Sequence, residues 1–227
     1  MIGPFALACL DMAGTTVRDD GAVEAAFEAA LAAVGLERGT TAFARAQQVV
    51  HATMGWSKAD VFATLLDAEA ARRATAAFAT AYEDFVTAGE VSEVPGAGSV
   101  LRHLRAHGVL VCLTTGFAPS TRDTLIDALG WRDEIDLALS PADVGRGRPA
   151  PDMVLGAMRR LGVRDPAAVA VVGDTVSDLE AGTAAGAGAV IGVLSGAHDE
   201  ATLAAAPHTA LVADVTELPA VLERGGR

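Results

Sequence analysis

Phe5-Ala-Leu-Ala-Cys-Leu-Asp-Met-Ala-Gly-Thr-Thr16 is a short apolar run that ends in an aspartate followed by a glycine-containing segment. The apolar part predicts a buried parallel strand, and the remainder predicts a tight loop at its end. Four further apolar segments repeat the pattern, separated by stretches of helical period. Strands that alternate with helices indicate an α/β fold, with a Rossmann-like parallel sheet covered by helices on both faces. The further predicted strands span residues 109–113, 137–139, 169–172 and 189–194.

Residues 20–94 interrupt this alternation because they contain no convincing strand. Their apolar residues recur with helical period between glycines, which predicts amphipathic helices. Turn residues at 19–21 and 94–96 predict hinges at the two junctions. We therefore predict a core domain of residues 1–19 and 95–227, with an inserted all-helical cap domain of residues 20–94. The predicted helices of the cap span residues 23–34, 41–53, 57–67 and 70–88.

The composition limits the partners that we expect. The chain of 227 residues has a formal net charge of −12, and no run of Arg or Lys interleaved with aromatic residues offsets it. Such a surface repels a phosphate backbone, so we expect no nucleic-acid partner. A small anionic substrate is still compatible, because a metal ion and a few local cations can dominate the field inside a pocket.

Cysteine usage and the N-terminal residues bear on location. Cys9 and Cys112 lie in apolar runs, which predicts inert thiols in the core. The apolar stretch at 5–10 has no basic leader and is cut short by Asp11, so we expect neither a signal peptide nor a membrane span. We expect a cytoplasmic protein that does not bind membranes. Five histidines lack ligand spacing and are expected to be structural or solvated: His51, His103, His107, His198 and His208.

Polar residues directly follow four of the predicted strands, where ligands gather in open parallel sheets. Asp11 and Asp174 would repel each other at one sheet edge without a cation, so together they predict a metal site. Oxygen ligands completed by water suit Mg²⁺. The candidate residues after the strands are Asp11 and Thr15; Thr114, Thr115 and Gly116; Arg146 and Arg148 in a longer loop; and Asp174, Thr175, Ser177 and Asp178.

In order and spacing these segments resemble the four sequential motifs of the haloacid dehalogenase-like hydrolases, whose helical cap sits where residues 20–94 lie. The resemblance implies that Asp11 attacks phosphorus of a small phosphoryl or phosphonyl substrate to form an aspartyl-phosphate. It implies that Asp11, the carbonyl of Ala13 and Asp174 bind Mg²⁺, and that Asp178 supports this site. Arg148 would oppose the charge of the transition state. We expect substrate or phosphate binding from Thr15, Thr114, Thr115, Gly116 and Met54.

Ala13 separates this chain from most of that superfamily, which carries there a second aspartate that protonates the departing alcohol. Without it an ester substrate would forfeit a general acid worth ~10²–10⁴-fold in rate. The phosphonoacetaldehyde hydrolases, or phosphonatases, share this feature, and in them a cap lysine forms a Schiff base with the substrate aldehyde. Carbon then leaves phosphorus as an enamine and needs no acid. The matching segments are Asp11-Met-Ala-Gly-Thr-Thr16, Gly147-Arg148-Pro149 and Met54-Gly55-Trp56-Ser57-Lys58.

Lys58 is the sole lysine, since every other one of the 17 basic residues is an arginine. Arginine can supply charge, but it cannot replace an amine that must lose its proton and attack a carbonyl. We therefore expect Lys58 to be catalytic. The alternative is an exposed residue in the first turn of a cap helix with Ser57 as its cap. Two positions depart from the phosphonatases: Val61 stands where they have a proton-transferring histidine, and Gly21 aligns with a cysteine.

The leading hypothesis is hydrolysis of the P–C bond of a small aldehyde phosphonate. Two alternatives stay open at this point. One is a phosphatase of small phosphate monoesters, such as phosphoglycolate or sugar phosphates, and the other is a non-catalytic binding protein with a degenerate site. The resemblance also implies a homodimer formed through the cap. Trp56, Phe62 and Phe78 could supply its apolar face, although ordinary core packing explains them equally.

Overall fold

The computed structural model describes residues 3–18 and 20–224. Its strands are β1 (Leu7–Asp11), β2 (Val17–Arg18), β3 (Ser92–Glu93), β4 (Leu110–Thr114), β5 (Leu137–Leu139), β6 (Val169–Gly173), β7 (Ala189–Val193) and β8 (Ala210–Val212). Six of them form a parallel sheet in the order β5-β4-β1-β6-β7-β8, so β1 lies between β4 and β6. Alternate residues of β1 pack into two different apolar clusters, because both faces of the sheet are covered. The predicted Rossmann-like α/β fold is therefore confirmed.

Helices follow the strands in the core and fill the insertion. They are α1 (Ala22–Ala33), α2 (Thr41–Ala52), α3 (Lys58–Leu65), α4 (Ala68–Thr87), α5 (Ala97–Ala106), α6 (Pro119–Ala128), α7 (Asp152–Leu161), α8 (Val176–Ala184), α9 (Glu200–Ala204) and α10 (Leu218–Arg224). The four helices of the insertion lie within two residues of their predicted bounds. Three of them begin where a side chain accepts a hydrogen bond from the first turn, namely those of Thr40, Ser57 and Asp67. Among the described residues, no helix is long and apolar enough to cross a membrane.

An aromatic cluster forms the interior of the cap. Phe27 of α1 lies 5.5 Å from Phe62 of α3 and 4.8 Å from Phe78 of α4, measured between ring centroids. Phe117 enters the cluster from the core, 4.5 Å from Tyr82. Phe62 and Phe78 are buried, so core packing accounts for these two residues and they supply no outer face. The homodimer itself stays a prediction.

Two short strands join the cap to the core, and the sequence did not indicate them. β2 and β3 pair antiparallel, with Val17 opposite Glu93 and Arg18 opposite Ser92. Neither strand is longer than two residues, so no alternating pattern could identify it. The predicted hinge at 19–21 falls partly outside the described residues because residue 19 is not among them. The domain boundaries stay predictions, and residues 1, 2 and 225–227 also lie outside the description.

The sheet has one strand more than predicted. β8 is three residues long at the sheet edge and is defined by its pairing with β7, where Ile191 lies opposite Ala210. A run this short is too weak a sequence signal. Cys9 and Cys112 lie opposite each other on β1 and β4 and are free and buried, as predicted.

Candidate active site

The register of the sheet brings the predicted polar residues to one edge. Asp11 ends β1 and lies opposite Thr114, which ends β4. On the other side of β1, Leu10 pairs with Val172 of β6, so Gly173 and Asp174 follow at the level of Asp11. The strands are parallel, and their carboxyl ends therefore open onto one cleft.

Three buried carboxylates meet in this cleft. Asp11, Asp174 and Asp178 each offer an oxygen within 4.8 Å of the other two. Burial, and then the charge of Asp178, raise the pKa of Asp11 to about 6 even though Arg148 lowers it. Burial raises the pKa of Asp174 well above its usual range, and the charges of Asp11 and Asp178 add to this effect. The cluster therefore carries more negative charge than the protein compensates, and this oxygen donor set fits Mg²⁺.

The carboxylate of Asp174 is held from several sides. The Thr15 hydroxyl donates to Oδ1 across 3.1 Å, and the backbone N–H of Ala197 donates to Oδ2 across 2.7 Å. Gly14 and Gly196 bring their backbones so close that a Cβ at either position would lie 2.3 or 2.0 Å from Oδ2. Gly14 also has a φ of 86°, which a residue with a side chain rarely adopts. This packing fixes the direction in which Asp174 presents its oxygens.

Arg148 joins two of the carboxylates. Its Nη2 lies 2.7 Å from an Asp11 oxygen, and its Nη1 is paired with Asp178. Burial by itself lowers the pKa of Arg148, but the two carboxylates raise it overall. Within the described part of the chain its buried Nε has no hydrogen-bond partner, which leaves one donor for a water molecule or a substrate oxygen.

Asp178 has a second role besides this ion pair. Its Oδ2 accepts hydrogen bonds from the backbone N–H and the hydroxyl of Thr175, at 3.1 and 2.5 Å. Thr175 is the N-cap of α8 and Asp178 completes the capping box. Asp178 therefore both stabilises the start of a helix and holds Arg148, which is consistent with the predicted supporting role.

Two of the residues expected to bind phosphate lie behind the cleft. Thr15 is fully buried against Asp174, and the Thr114 hydroxyl faces the carbonyl oxygen of Leu10 at 3.5 Å. Thr115 does line the cavity, but its backbone N–H donates to Leu139. The Thr115 amide thus extends the pairing of β4 with β5 and is not free to bind a phosphoryl oxygen. The remaining predicted residues that line the cavity are Ala13, Gly116 and Met54.

Core and cap together enclose a cavity of about 570 Å³. Asp11, Arg148 and Asp174 line it on the core side, and Met54 and Lys58 line it on the cap side. Arg146, the other candidate cation, instead pairs with Asp152 on the surface. The structure thus brings the predicted nucleophile, on the core side, and the predicted Schiff-base lysine, on the cap side, to the lining of one cavity.

Lys58 is the first residue of α3, yet it is only 8% exposed. Its Nζ lies 5.0, 5.5 and 5.4 Å from the ring centroids of Phe27, Phe78 and Phe117. Ser57 caps the helix as expected, but the alternative of an exposed Lys58 is wrong. Rings from three different elements cover the side chain.

The cap segment before Lys58 rests directly on the core. The Ser177 hydroxyl donates to the carbonyl oxygen of Met54 across 3.1 Å, and the Lys58 N–H donates to Gly116. A Cβ at Gly55 would lie 2.4 Å from the Thr175 hydroxyl. The cap and the core are therefore in close contact at the cavity wall.

Sequence reasoning missed the loop after β7. Residues 195–198 line the cavity, including His198, which was expected to be structural or solvated. The Nδ1 of His198 accepts a hydrogen bond from the Val176 N–H at 3.0 Å, and burial lowers the pKa of His198. The neutral ring therefore carries its proton on Nε2. The loop follows a predicted strand of the parallel sheet, and this position alone would have predicted a place in the site.

The two positions that depart from the phosphonatases have different surroundings. Val61 is buried in the interior of the cap and does not line the cavity. Gly21 lines the cavity and precedes α1 with a φ of 91°. No histidine therefore stands beside Lys58 on α3.

The fold and the site define a capped α/β enzyme whose acidic centre lies at the carboxyl ends of a parallel sheet. The chain belongs to the haloacid dehalogenase-like hydrolases, whose family model matches residues 5–186. This family membership supports the predicted hydrolase.

Individual relatives differ in the activities that their names state. The chain is 35% identical over 111 residues to the phosphonoacetaldehyde hydrolase of Bacteroides fragilis, which covers 48% of this chain and 41% of the relative. It is 36% identical over 124 residues to the probable phosphatase IndB of Dickeya dadantii, covering 55% and 53%. The matched segment spans about half or less of both curated relatives.

A solved structure supports the fold over the whole chain. The phosphonoacetaldehyde hydrolase-like protein of Oleispira antarctica superposes with a TM-score of 0.82 at 24% identity, covering 100% of this chain and 94% of the other. At this level of identity the likeness establishes the capped fold and says nothing of the substrate.

Proposed function

We propose that this hydrolase cleaves the P–C bond of a small phosphonate that carries an aldehyde or ketone next to the carbon on phosphorus. The observation that supports the proposal best is that Lys58 of the cap and Asp11 of the core line one cavity. A phosphonate bound between them would meet a carboxylate at phosphorus and an amine at its carbonyl carbon. Neither phosphorus chemistry nor helix capping requires a buried amine at this position.

In the proposed reaction the neutral Lys58 amine adds to the carbonyl, and water leaves to give an iminium ion. A carboxylate oxygen of Asp11 attacks phosphorus, and the electron pair of the breaking P–C bond moves into the iminium to give an enamine. Water then hydrolyses the phosphoryl group from Asp11. The enamine takes up a proton and is hydrolysed, which frees Lys58 and releases the carbonyl product.

The three rings around Lys58 favour this route. A ring face attracts a cation within about 6 Å of its centroid, and Phe27, Phe78 and Phe117 all satisfy this condition. The iminium ion is a cation at the same nitrogen, so the rings stabilise the electron sink that cleavage needs. Ala13 supplies no acid, and none is needed because carbon leaves as an enamine.

The core side of the cavity fits the phosphoryl end. Arg148 holds Asp11 in place and faces the anionic group with a permanent positive charge. Asp11, Asp174 and the carbonyl of Ala13 would hold Mg²⁺. When bound, Mg²⁺ supplies the positive charge that lets an anionic phosphoryl group approach an anionic carboxylate.

Borohydride trapping tests the proposal. Sodium borohydride reduces an iminium to a stable secondary amine, so incubation with phosphonoacetaldehyde should add the substrate mass to Lys58. Lys58→Arg is the matched control because it keeps the charge and cannot form the iminium. Active enzyme whose Lys58 stays unmodified would reject the imine.

A phosphatase of small phosphate monoesters is the second candidate, favoured by the likeness to a probable phosphatase. Asp11 and Arg148 would contact a phosphoryl group in the same way whether carbon or an ester oxygen leaves phosphorus. This candidate predicts that hydrolysis of phosphoglycolate survives Lys58→Arg, whereas P–C cleavage predicts that turnover of phosphonoacetaldehyde does not. Measuring both substrates on both proteins separates the two functions.

A further inference from the structure

Two polar side chains on the cap wall of the cavity have no part in the proposed chemistry. Glu24 of α1 and His51 of α2 line the cavity together with Lys58. Both also border a small recess between α1 and α2. Both are exposed, and in the described part of the structure neither side chain makes a hydrogen bond or an ion pair. Both residues therefore belong to the cavity wall, and their side chains are available to a ligand.

The cavity is larger than the simplest substrate needs. Its volume of about 570 Å³ lies in the range of pockets that hold drug-sized ligands. Phosphonoacetaldehyde has two carbons, and its carbonyl carbon carries only hydrogen beyond the C–P unit. With phosphorus at Asp11 and the carbonyl at Lys58, a substituent on that carbon would occupy the part of the cavity that the cap lines, and Glu24 and His51 belong to this lining.

The chemistry of this pair selects the substituent. A carboxylate only accepts hydrogen bonds, whereas an imidazole both donates and accepts. A hydroxyl group matches them, because it can donate to Glu24 while it exchanges a hydrogen bond with His51. A methyl group cannot form a hydrogen bond with either side chain, so a substrate that carries it gains nothing from them.

We propose that the substrate is a β-oxo phosphonate whose carbonyl carbon bears a hydroxyl-bearing substituent, and that Glu24 and His51 bind this hydroxyl. The inference rests on the proposed P–C cleavage and specifies its substrate class. For 3-hydroxy-2-oxopropylphosphonate the reaction consumes one water and gives hydroxyacetone and inorganic phosphate. The bonds made and broken at phosphorus and at Lys58 are those already described.

The test compares 3-hydroxy-2-oxopropylphosphonate with 2-oxopropylphosphonate, which differs only by the hydroxyl. We expect kcat/KM to favour the hydroxylated compound about tenfold, the effect of one hydrogen bond to a charged group. Glu24→Ala and His51→Ala should each bring this ratio close to one. Because the ratio is taken within one protein, partial unfolding of a variant cancels. Gln48→Ala is the control, as it changes an exposed residue of α2 that does not line the cavity.

Several outcomes overturn the inference. A ratio near one in the unmodified protein does so, as does a ratio that survives both substitutions. Preference for 3-amino-2-oxopropylphosphonate would assign the site to an ammonium group and reject the hydroxyl. Absence of borohydride trapping at Lys58 is a failure of the proposed function instead. In that case the dissociation constants of the two ketones, measured by calorimetry, still decide the inference, and equal constants overturn it.

Discussion

The backbone N–H of Lys58 donates a hydrogen bond to the carbonyl oxygen of Gly116 across 3.2 Å. Lys58 belongs to the cap, and Gly116 belongs to the loop after β4. The backbone of the residue that we propose to attack the substrate carbonyl is therefore hydrogen-bonded to the core. The contact sets how far the amine lies from the acidic cleft. Its geometry depends on the absence of a side chain at position 116.

Gly116→Ala should disrupt the contact between the cap segment at Lys58 and the core loop after β4. A Cβ there would lie 2.3 Å from the carbonyl oxygen of Trp56, a backbone atom that cannot turn aside. The segment before Lys58 must shift, and a displacement near 1 Å costs about 10²-fold in rate. We expect kcat for the phosphonate to fall by that order while the melting temperature changes by only a few degrees. Unchanged kcat would show that this contact does not position Lys58.

Phe117→Leu should weaken the P–C reaction through lost cation stabilisation. The ring centroid lies 5.4 Å from the Lys58 Nζ, and such contacts contribute about 0.5–2 kcal/mol. We expect the rate of borohydride trapping to fall about threefold to tenfold. Phe62→Leu is the matched control, since Phe62 is a buried member of the same aromatic cluster whose ring packs on Phe27. Equal losses in both variants would attribute the effect to packing.

Thr15→Val should weaken magnesium binding. The substitution keeps the side-chain shape and removes the hydroxyl that donates to the Asp174 carboxylate. Loss of a partner that orients a metal ligand typically reduces affinity about 10- to 100-fold. Isothermal calorimetry with Mg²⁺ measures the change. Thr16→Val serves as the control, because that hydroxyl donates to the backbone carbonyl of Asp11, and a comparable loss in it would contradict a specific role for Thr15.

Magnesium should stabilise the protein more at neutral pH than in mild acid. Asp11 has a pKa of about 6 in the metal-free fold against 3.8 for its ordinary value, so the folded state holds a proton that the unfolded chain releases. The stability of the metal-free protein therefore falls as pH rises between these values. At higher pH the ionised carboxylates of the cluster repel one another until a cation binds.

Thermal denaturation with and without Mg²⁺, at about pH 7.5 and about pH 5, tests this prediction. We expect the larger rise in melting temperature at the higher pH, because protons compete with the metal at the lower one. Asp174→Asn should remove most of the difference. Equal rises at both pH values in the unmodified protein would contradict a carboxylate site.

The local sequence patterns were sufficient to predict the fold and the acidic centre. The run that ends at Asp11, repeated along the chain, indicated a parallel sheet, and parallel strands bring their carboxyl ends to one edge. Asp11 and Asp174 were therefore predicted to meet, and their carboxylates do meet. Lys58 was predicted to be catalytic because it is the sole lysine and because its segment resembles that of the phosphonatases.

Only the tertiary structure decided which groups turn toward the cavity. Thr15 and Thr114 occupy motif positions yet lie behind it, whereas Glu24, His51 and His198 have no motif and lie on its wall. Periodicity fixes which face of one element is apolar, but a side chain's neighbours depend on how separate elements pack. The three rings around Lys58 come from α1, α4 and the loop after β4. These segments are distant in the sequence, so only the packing of the folded chain brings them together.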